Sequence, residues 1–297
     1  MEGTVVRAAG GFFLVRDGKG DQFLCRARGR LNQSKASLLV GDRVLFQPAA
    51  GSAGREKEGV IETVLPRFNA LYRPTAANVD QLILVTALRD PAPDWLLASR
   101  LLALAERQEM AAILCLNKTD LLTPAELAET ARLLKLFPYQ RIFTSVKTGQ
   151  GLDELEQALP GHCSVFAGPS GAGKSSLLNA IQPDLLLKTG SVSDKIGRGR
   201  HTTRVAELLA LPGGGSVVDT PGFSRLDFVD LEPQSLPGLF PEMEPFTGQC
   251  AFRDCRHIAE PGCAIRKAVD AGEINFMRFQ HYKAFFQELM DRRDEKS

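Results

Sequence analysis

Long apolar runs are missing from this sequence of 297 residues. No apolar stretch approaches the ~18 residues that a membrane-spanning helix needs, which argues against a membrane protein. The first residues, MEGTVVRAAGG, lack the basic start and the long apolar stretch of a signal peptide. Net charge is nearly absent at +1, so it says little about partners. We therefore expect a cytoplasmic protein with room for two or three domains.

Cysteines are few, and they are unevenly placed. Three of the six lie in one short segment that also holds a histidine: Cys250, Cys255, His257 and Cys263. Three thiolates and one imidazole form a closed tetrahedral set, typical of one structural Zn²⁺ site without hydrolytic chemistry. A chance cluster of buried cysteines is the alternative, and the charged neighbours argue against it. The other cysteines lie in apolar, strand-like contexts and are predicted to be core residues: Cys25, Cys115 and Cys163.

The tail between Glu273 and Arg293 is predicted to be helical. Apolar and mostly aromatic residues recur there at helix-like spacing: Phe276, Phe279, Tyr282, Phe285, Phe286 and Leu289. We expect most of them to pack against the cysteine segment.

The stretch GPSGAGKS fits the phosphate-binding P-loop pattern G-x-x-x-x-G-K-[ST]. A strand-like segment precedes it and a helix-like segment follows it. Glycines let backbone N–H groups wrap a phosphate, and the helix directs its positive dipole end at the same anion. Lys174 is expected to reach the outer phosphates, and Ser175 to bind Mg²⁺. A chance Gly/Ser-rich turn is the alternative. The predicted phosphate-binding residues are Gly168, Pro169, Ser170, Gly171, Ala172, Gly173, Lys174, Ser175 and Ser176.

Residues 1–68 are predicted to form a small β-barrel. Five short strand-like runs, separated by glycine-rich turns and without a helix between them, favour an OB-fold. Positive charges outnumber negative ones in this segment, and the run from Arg26 through Arg28 to Arg30 is a candidate contact for an RNA backbone. A solvated loop is an equally good interpretation of that run alone.

Residues 69–240 show alternating strands and helices, the pattern of a parallel sheet. Four predicted strands end in motifs: NKTD, SVK, GPSGAGKS and DTPG. Because ligands bind at the carboxyl ends of strands in open α/β sheets, we expect the motifs to converge on one nucleotide. Beyond the P-loop, the predicted nucleotide-binding residues are Asn117, Lys118, Thr119, Asp120, Ser145, Val146, Lys147, Asp219 and Gly222.

Asp120 indicates which base is bound. Its carboxylate offers two acceptors, which suit the N1–H and the exocyclic amine of guanine, whereas adenine lacks that donor pair. Asn117 and Lys118 are expected to shape and cover the base. The pattern N-K-x-D is weak alone, but its combination with a P-loop and D-x-x-G is a strong GTPase signal. It argues against a P-loop ATPase or kinase.

The order of the motifs is unusual. Ras-type GTPases have the P-loop first, whereas here NKTD and SVK precede it. In this order the sequence resembles the circularly permuted GTPases, specifically the ribosome small-subunit-dependent GTPase family (the RsgA/YjeQ type), over essentially the whole chain. The resemblance implies a multi-domain α/β protein: an OB-like RNA-binding β-barrel (1–68), a circularly permuted GTPase domain (69–240) and a zinc-binding C-terminal domain with helices (241–297).

The resemblance also implies a function. It predicts a monomeric factor in late maturation of the small (30S) ribosomal subunit, which binds GTP or GDP and 16S rRNA and hydrolyses GTP slowly until it docks on the subunit. Other assembly factors are further candidate partners, and no membrane is expected. The alternatives are a GTP-binding, RNA-associated switch with another ribosomal or RNA partner, and a zinc-dependent RNA-binding protein that holds GTP without hydrolysing it.

Catalysis requires a replacement for a missing glutamine. Ras-type enzymes place glutamine directly after D-x-x-G to orient the attacking water, but this chain has Phe223 there. The segment GRGRHTT is similar to the family's switch I, and its His201 is predicted to orient the water with a neutral imidazole. A surface histidine on a mobile loop is the alternative. Lys174 is the second predicted catalytic residue. The expected Mg²⁺ ligands are Ser175, Asp219 and either Thr202 or Thr203.

Overall fold

The computed structural model describes residues 1–29, 38–49, 57–72, 75–182, 206–219, 228 and 230–294. This part of the chain contains a closed barrel, an α/β sheet and a helical C-terminal unit. Among these residues, none of the helices combines the length and the apolar composition that a membrane span requires.

Five strands form the barrel: β1 (Glu2–Ala9), β2 (Phe12–Asp17), β3 (Gln22–Ala27), β4 (Arg43–Pro48) and β5 (Lys57–Val64). Their order is β1-β2-β3-β5-β4, and β4 pairs back onto β1. Alternate side chains point inward, because successive residues of a strand face opposite sides. The inward residues are Val5, Val15, Phe23, Cys25, Val44, Phe46 and Ile61. The predicted OB-like barrel is therefore confirmed.

A short hairpin leads from the barrel into the α/β sheet. It consists of β6 (Ala70–Tyr72) and β7 (Thr75–Ala77). The strands of the sheet are β8 (Gln81–Ala87), β9 (Ala111–Asn117), β10 (Gln140–Phe143), β11 (Cys163–Ala167), β12 (Glu207–Ala210) and β13 (Ser216–Asp219). The helices are α1 (Trp95–Arg107), α2 (Pro124–Leu133), α3 (Leu152–Gln157) and α4 (Lys174–Ile181). Thr123 caps α2 in a capping box with Glu126, as expected from the Thr-Pro start.

The strand order is β10-β9-β8-β11-β13-β12. The first five strands pair in parallel, whereas β12 is antiparallel to β13. The connection 211–215 between those two strands is too short for the crossover that parallel pairing needs. The expectation of parallel pairing therefore holds for five of the six strands.

Strand β8 lies in the interior of the sheet and is buried along its whole length. Leu82 and Leu84 belong to one apolar cluster, while Ile83 and Val85 belong to another. Such burial on both faces is expected where helices cover both sides of a parallel sheet. The sheet is thereby a rigid support for the loops at its carboxyl edge.

The barrel packs directly against the α/β sheet. β1 pairs with β12 through Arg7 and Glu207, so the two sheets are continuous. The fully buried Asp42 accepts two hydrogen bonds from Arg67, Nε to Oδ1 at 2.5 Å and Nη2 to Oδ2 at 2.7 Å. Gly41 has φ +91°, and a Cβ there would lie 2.0 Å from the carbonyl oxygen of Ala77. Close backbone approach therefore requires glycine at this junction.

The C-terminal unit begins with two 3₁₀-helices, Pro233–Leu239 and Pro241–Phe246. Two α-helices follow, α5 (Ala264–Asp270) and α6 (Phe276–Asp294). Their core includes five residues predicted from the helix-like spacing: Phe279, Tyr282, Phe285, Phe286 and Leu289. Phe276 is the exception at 65% exposed, because it is the first residue of α6 and precedes the packed face.

Candidate nucleotide and metal sites

The predicted nucleotide-binding motifs lie on one edge of the sheet. Asn117 is the last residue of β9, the SVK segment follows β10, and the P-loop follows β11. These strands and β8 pair in parallel, so their carboxyl ends point the same way. The structure therefore brings the three motifs together at the edge where α/β sheets bind ligands.

Glycines allow the P-loop to pass close to its neighbours. Gly168 has φ +137°, and a Cβ there would lie 2.0 Å from the carbonyl oxygen of Val85. Gly173 has φ +101°, and a Cβ there would lie 2.2 Å from Asn117 Nδ2. At both positions a residue with a Cβ would have a strained backbone, and its side chain would clash with the neighbouring atom. The second contact places the start of α4 directly against NKTD.

Lys174 holds the P-loop in its wrapped form. Its Nζ donates to the carbonyl oxygens of Gly168 at 2.9 Å and Pro169 at 2.8 Å. Burial lowers the pKa of this ammonium from its usual value. Ser175 and Ser176 follow in the first turn of α4, and both are exposed. The loop thus presents its lysine, its backbone and these two hydroxyl groups near one helix N-terminus.

Asp120 has a fixed carboxylate. It accepts a hydrogen bond from Ser145 Oγ at 2.6 Å, and Ser145 itself is buried. Thr119 is also buried, and its backbone N–H donates to the carbonyl oxygen of Thr144 at 3.2 Å. Val146 and Lys147 are exposed beside them. The NKTD and SVK segments are therefore joined at two places, and Asp120 keeps acceptor capacity for a ligand.

Lys118 has a left-handed backbone conformation with φ 64°. Its Nζ donates to the carbonyl oxygen of Asp90, in the loop that follows β8. The sequence did not identify this loop as part of the site, because LRDPAPD carries no nucleotide-binding pattern.

Other predicted site residues are only partly described. The backbone of Asp219 ends β13, and Val218 pairs with Val165 of the P-loop strand β11. Gly222, His201, Thr202 and Thr203 lie outside the described residues. Their roles in phosphate binding, Mg²⁺ binding and catalysis stay predictions.

The four predicted metal ligands converge, with their ligand atoms within 4.8 Å of one another. Cys250 Sγ lies 3.5 Å from His257 Nδ1 and 3.9 Å from Cys263 Sγ, and His257 Nδ1 lies 3.4 Å from Cys263 Sγ. A tetrahedral ion with bonds of about 2.3 Å to sulfur and 2.0 Å to nitrogen has edges of about 3.5–3.8 Å. The cluster therefore has the composition and spacing to hold a metal ion.

Hydrogen bonds fix the loop that carries these ligands. Glu260 accepts from the backbone N–H groups of Arg256, Ile258 and Ala259, at 2.9 to 3.0 Å. The hydroxyl of Tyr282 on α6 donates to the carbonyl oxygen of Arg256 at 2.7 Å. Burial lowers the pKa of the His257 imidazole, which favours the neutral form that metals bind.

A buried arginine joins the C-terminal unit to α1, and no sequence pattern indicated this role. Arg278 is fully buried and donates to both carboxylate oxygens of Glu242, at 2.6 and 3.2 Å. It also donates to the carbonyl oxygen of Ser99 on α1 at 3.4 Å, and it stacks over the Phe240 ring at 4.4 Å. An arginine in an amphipathic helix normally indicates a solvated face, so only the assembled fold reveals this role.

Comparison with known proteins identifies the family. The model of the RsgA GTPase family matches residues 64–229, and the model described as the RsgA N-terminal domain matches residues 2–61. The chain belongs to the RsgA GTPase family. It is accordingly a hydrolase of GTP, and the predicted resemblance is confirmed.

Relatives of the RsgA family match almost the whole chain. A protein of Moorella thermoacetica is 49% identical over 98% of this chain and 98% of its own, and one of Geobacillus kaustophilus is 46% identical at the same coverage. Both are named small ribosomal subunit biogenesis GTPase RsgA.

Solved structures agree with the fold. YjeQ from Thermotoga maritima has a TM-score of 0.85 at 39% identity, and covers 97% of this chain and 98% of its own. YloQ, described as a circularly permuted GTPase, has a TM-score of 0.81 at 36% identity, and covers 98% of this chain and 95% of its own. The permuted GTPase fold predicted from motif order is therefore confirmed.

Proposed function

We propose that this GTPase acts in biogenesis of the small ribosomal subunit, where it binds the 30S particle through 16S rRNA and hydrolyses GTP when docked. The proposed binding and hydrolysis of GTP rest on one observation, the arrangement of NKTD, SVK and the P-loop on one edge of the sheet. The names of the RsgA relatives support the ribosomal part.

The guanine base is assigned to the NKTD side of the site. Asp120 would accept from N1–H and the exocyclic amine, while Ser145 keeps its carboxylate in place. Lys118, tied to the Asp90 carbonyl, would cover one face of the base. Thr119, Val146 and Lys147 complete the proposed wall.

The phosphates are assigned to the P-loop. Backbone N–H groups of residues 168–176 would surround them, and Lys174 would exchange its carbonyl partners for phosphate oxygens. Ser175, at the start of α4, is the proposed protein ligand of a Mg²⁺ ion, with Asp219 and either Thr202 or Thr203. Mg²⁺ would neutralise charge on the phosphates during transfer to water. His201 is the proposed group that orients that water, and Gly222 the proposed contact to the γ-phosphate.

Zinc is the proposed occupant of the cysteine and histidine cluster. Three thiolates and one imidazole within 4.8 Å of one another match structural zinc, which would stabilise the C-terminal unit. With four protein ligands, no position remains for a reacting water.

The barrel is the proposed RNA-binding unit. Arg26 lies over the ring of Phe12 at 4.6 Å on the outer face, next to the exposed Leu24 and Val60. Arginine and aromatic side chains of this kind stack with bases and contact phosphates. Arg28 pairs with Glu62 at 3.1 Å, and a phosphate would compete for that arginine. The chain is proposed to work as a monomer in the cytoplasm, where its cysteines would stay reduced.

Single-turnover GTP hydrolysis with and without purified 30S subunits tests the proposal. We expect slow hydrolysis by the protein alone and strong stimulation by 30S subunits, with 50S subunits as the control. Equal rates under all three conditions would refute the ribosomal role. GTP binding with no hydrolysis under any condition would favour a switch that only holds the nucleotide.

A further inference from the structure

Gln150 lies at the end of the loop that contains SVK, outside every motif assigned to the nucleotide. Its side chain and its backbone make separate contacts. Oε1 accepts a hydrogen bond from Thr119 Oγ1 at 2.8 Å, and its backbone carbonyl accepts from the Ser145 N–H at 3.0 Å. One residue thus holds both neighbours of the Asp120 carboxylate: the residue before it in NKTD and the serine that donates to it.

The direction of the Ser145 hydroxyl depends on this loop. Ser145 Oγ accepts from the backbone N–H of Thr148 at 3.2 Å and donates to Asp120 Oδ1 at 2.6 Å. A hydroxyl has a single proton, so the contact from Thr148 leaves that proton for Asp120. If the loop moves relative to NKTD, the carboxylate loses its fixed orientation.

We propose that Gln150 is a positioning residue for base recognition, acting through Thr119 and Ser145 on the Asp120 carboxylate. This inference rests on the proposed binding of guanine by Asp120. It goes further, because it makes base discrimination depend on a side chain that is not among the proposed nucleotide contacts. Binding of the phosphates by the P-loop should depend on it little, since Gln150 makes no described contact with residues 168–176.

Affinities for GDP and for inosine diphosphate (IDP) separate positioning from general damage. IDP lacks the exocyclic amine, so the ratio of its dissociation constant to that of GDP reports how well Asp120 meets the amine. Gln150→Leu removes the acceptor for Thr119 on an exposed loop. We expect GDP affinity to fall about 3- to 10-fold, the effect of one lost hydrogen bond, and IDP affinity to fall less, so that the ratio shrinks.

Variants of Thr119 provide the partner test. Thr119→Val removes the donor with little change in shape and should shrink the ratio as Gln150→Leu does, whereas Thr119→Ser keeps the hydroxyl and should preserve it. The double variant Gln150→Leu/Thr119→Val should lower the ratio no further than the stronger single variant does, because both substitutions remove the same hydrogen bond. Gln157→Leu, on the exposed side of α3, is the matched control and should bind both nucleotides as the wild type does.

A ratio that Gln150→Leu leaves unchanged would overturn the inference, whether both affinities fall by the same factor or neither falls. In either case wild-type binding of GDP would still support the proposed function. Wild-type protein that fails to bind GDP would refute both.

Discussion

Asn117 Nδ2 donates to the backbone carbonyl of Ala172 at 2.8 Å, which joins NKTD to the P-loop across 55 positions of chain. Thr144 Oγ1 donates to the other end of the same amide, Oδ1, at 3.1 Å. Asn117 is buried, so both contacts are protected from water. The proposed base-binding and phosphate-binding parts of the site therefore share one rigid junction. Permutation changes the order of these two parts in the chain but leaves them in contact.

Metal loss should loosen the C-terminal unit while nucleotide binding persists. Cys255→Ser removes one of four ligands, and metal binding supplies much of the folding free energy of so small a loop. Elemental analysis should give one zinc per wild-type chain and clearly less in the variant. Cys163→Ala, in β11, is the control and should retain zinc. Freshly purified wild-type protein without zinc would rule out a zinc site.

Removal of Arg278 should strongly destabilise the contact between α6 and α1. Arg278→Met leaves the buried Glu242 carboxylate without its partner, which costs about 3–5 kcal/mol in comparable cases. Urea unfolding followed by circular dichroism measures the loss. The double variant Arg278→Met/Glu242→Leu should recover part of it, because no unpaired charge remains. A loss below about 1 kcal/mol in the single variant would show that this pair contributes little.

His281 should make the fold sensitive to mild acid. Its Nδ1 lies 2.8 Å from Ser99 Oγ on α1, and its pKa is lowered by burial and by Arg278, with Asp94 opposing them. The unfolded chain protonates His281 more readily than the folded protein does. The neutral imidazole therefore contributes fully to stability above pH 6.5, and this contribution is lost as the pH falls through the folded pKa.

Comparison of the urea midpoints of wild type and His281→Gln at pH 7.5 and pH 5.5 checks this. The wild type should lose more stability between the two values, since glutamine does not titrate. An equal loss in both proteins would assign the acid sensitivity to other groups.

The P-loop was predictable because its requirements are local. Gly168 and Gly173 need left-handed backbone angles, and Lys174 follows at a fixed spacing, so eight residues of sequence suffice. The cysteine and histidine set was predictable for the same reason. Arg278 was not, because Ser99 and Glu242 lie 179 and 36 positions away and only the fold brings them together. Gln150 was missed because a glutamine in a glycine-rich loop has no distinctive pattern.

Histidine at position 201, outside the described residues, is expected to determine the stimulated rate. His201→Ala should keep GTP and 30S binding but lose most of the 30S-stimulated turnover, about 100-fold if the imidazole orients the water. Single-turnover hydrolysis and co-sedimentation with 30S subunits measure the two effects. His162→Ala, just before β11 and so at the opposite end of that strand from the P-loop, is the control. Full stimulation of His201→Ala by 30S subunits would mean that another group positions the water, with ribosomal RNA as the first candidate.

The most direct test exchanges the base that the enzyme accepts. Asp120→Asn replaces one acceptor by a donor, which suits xanthine better than guanine, so GTP affinity should fall by about 1–3 kcal/mol and XTP affinity should rise. The decisive measurement is the single-turnover rate of this variant with GTP and with XTP in the presence of 30S subunits. We predict stimulated hydrolysis of XTP and little hydrolysis of GTP at concentrations that saturate the wild type. If the variant hydrolysed GTP at the stimulated rate of the wild type and did not hydrolyse XTP, the assignment of Asp120 would be contradicted, and with it the proposed site.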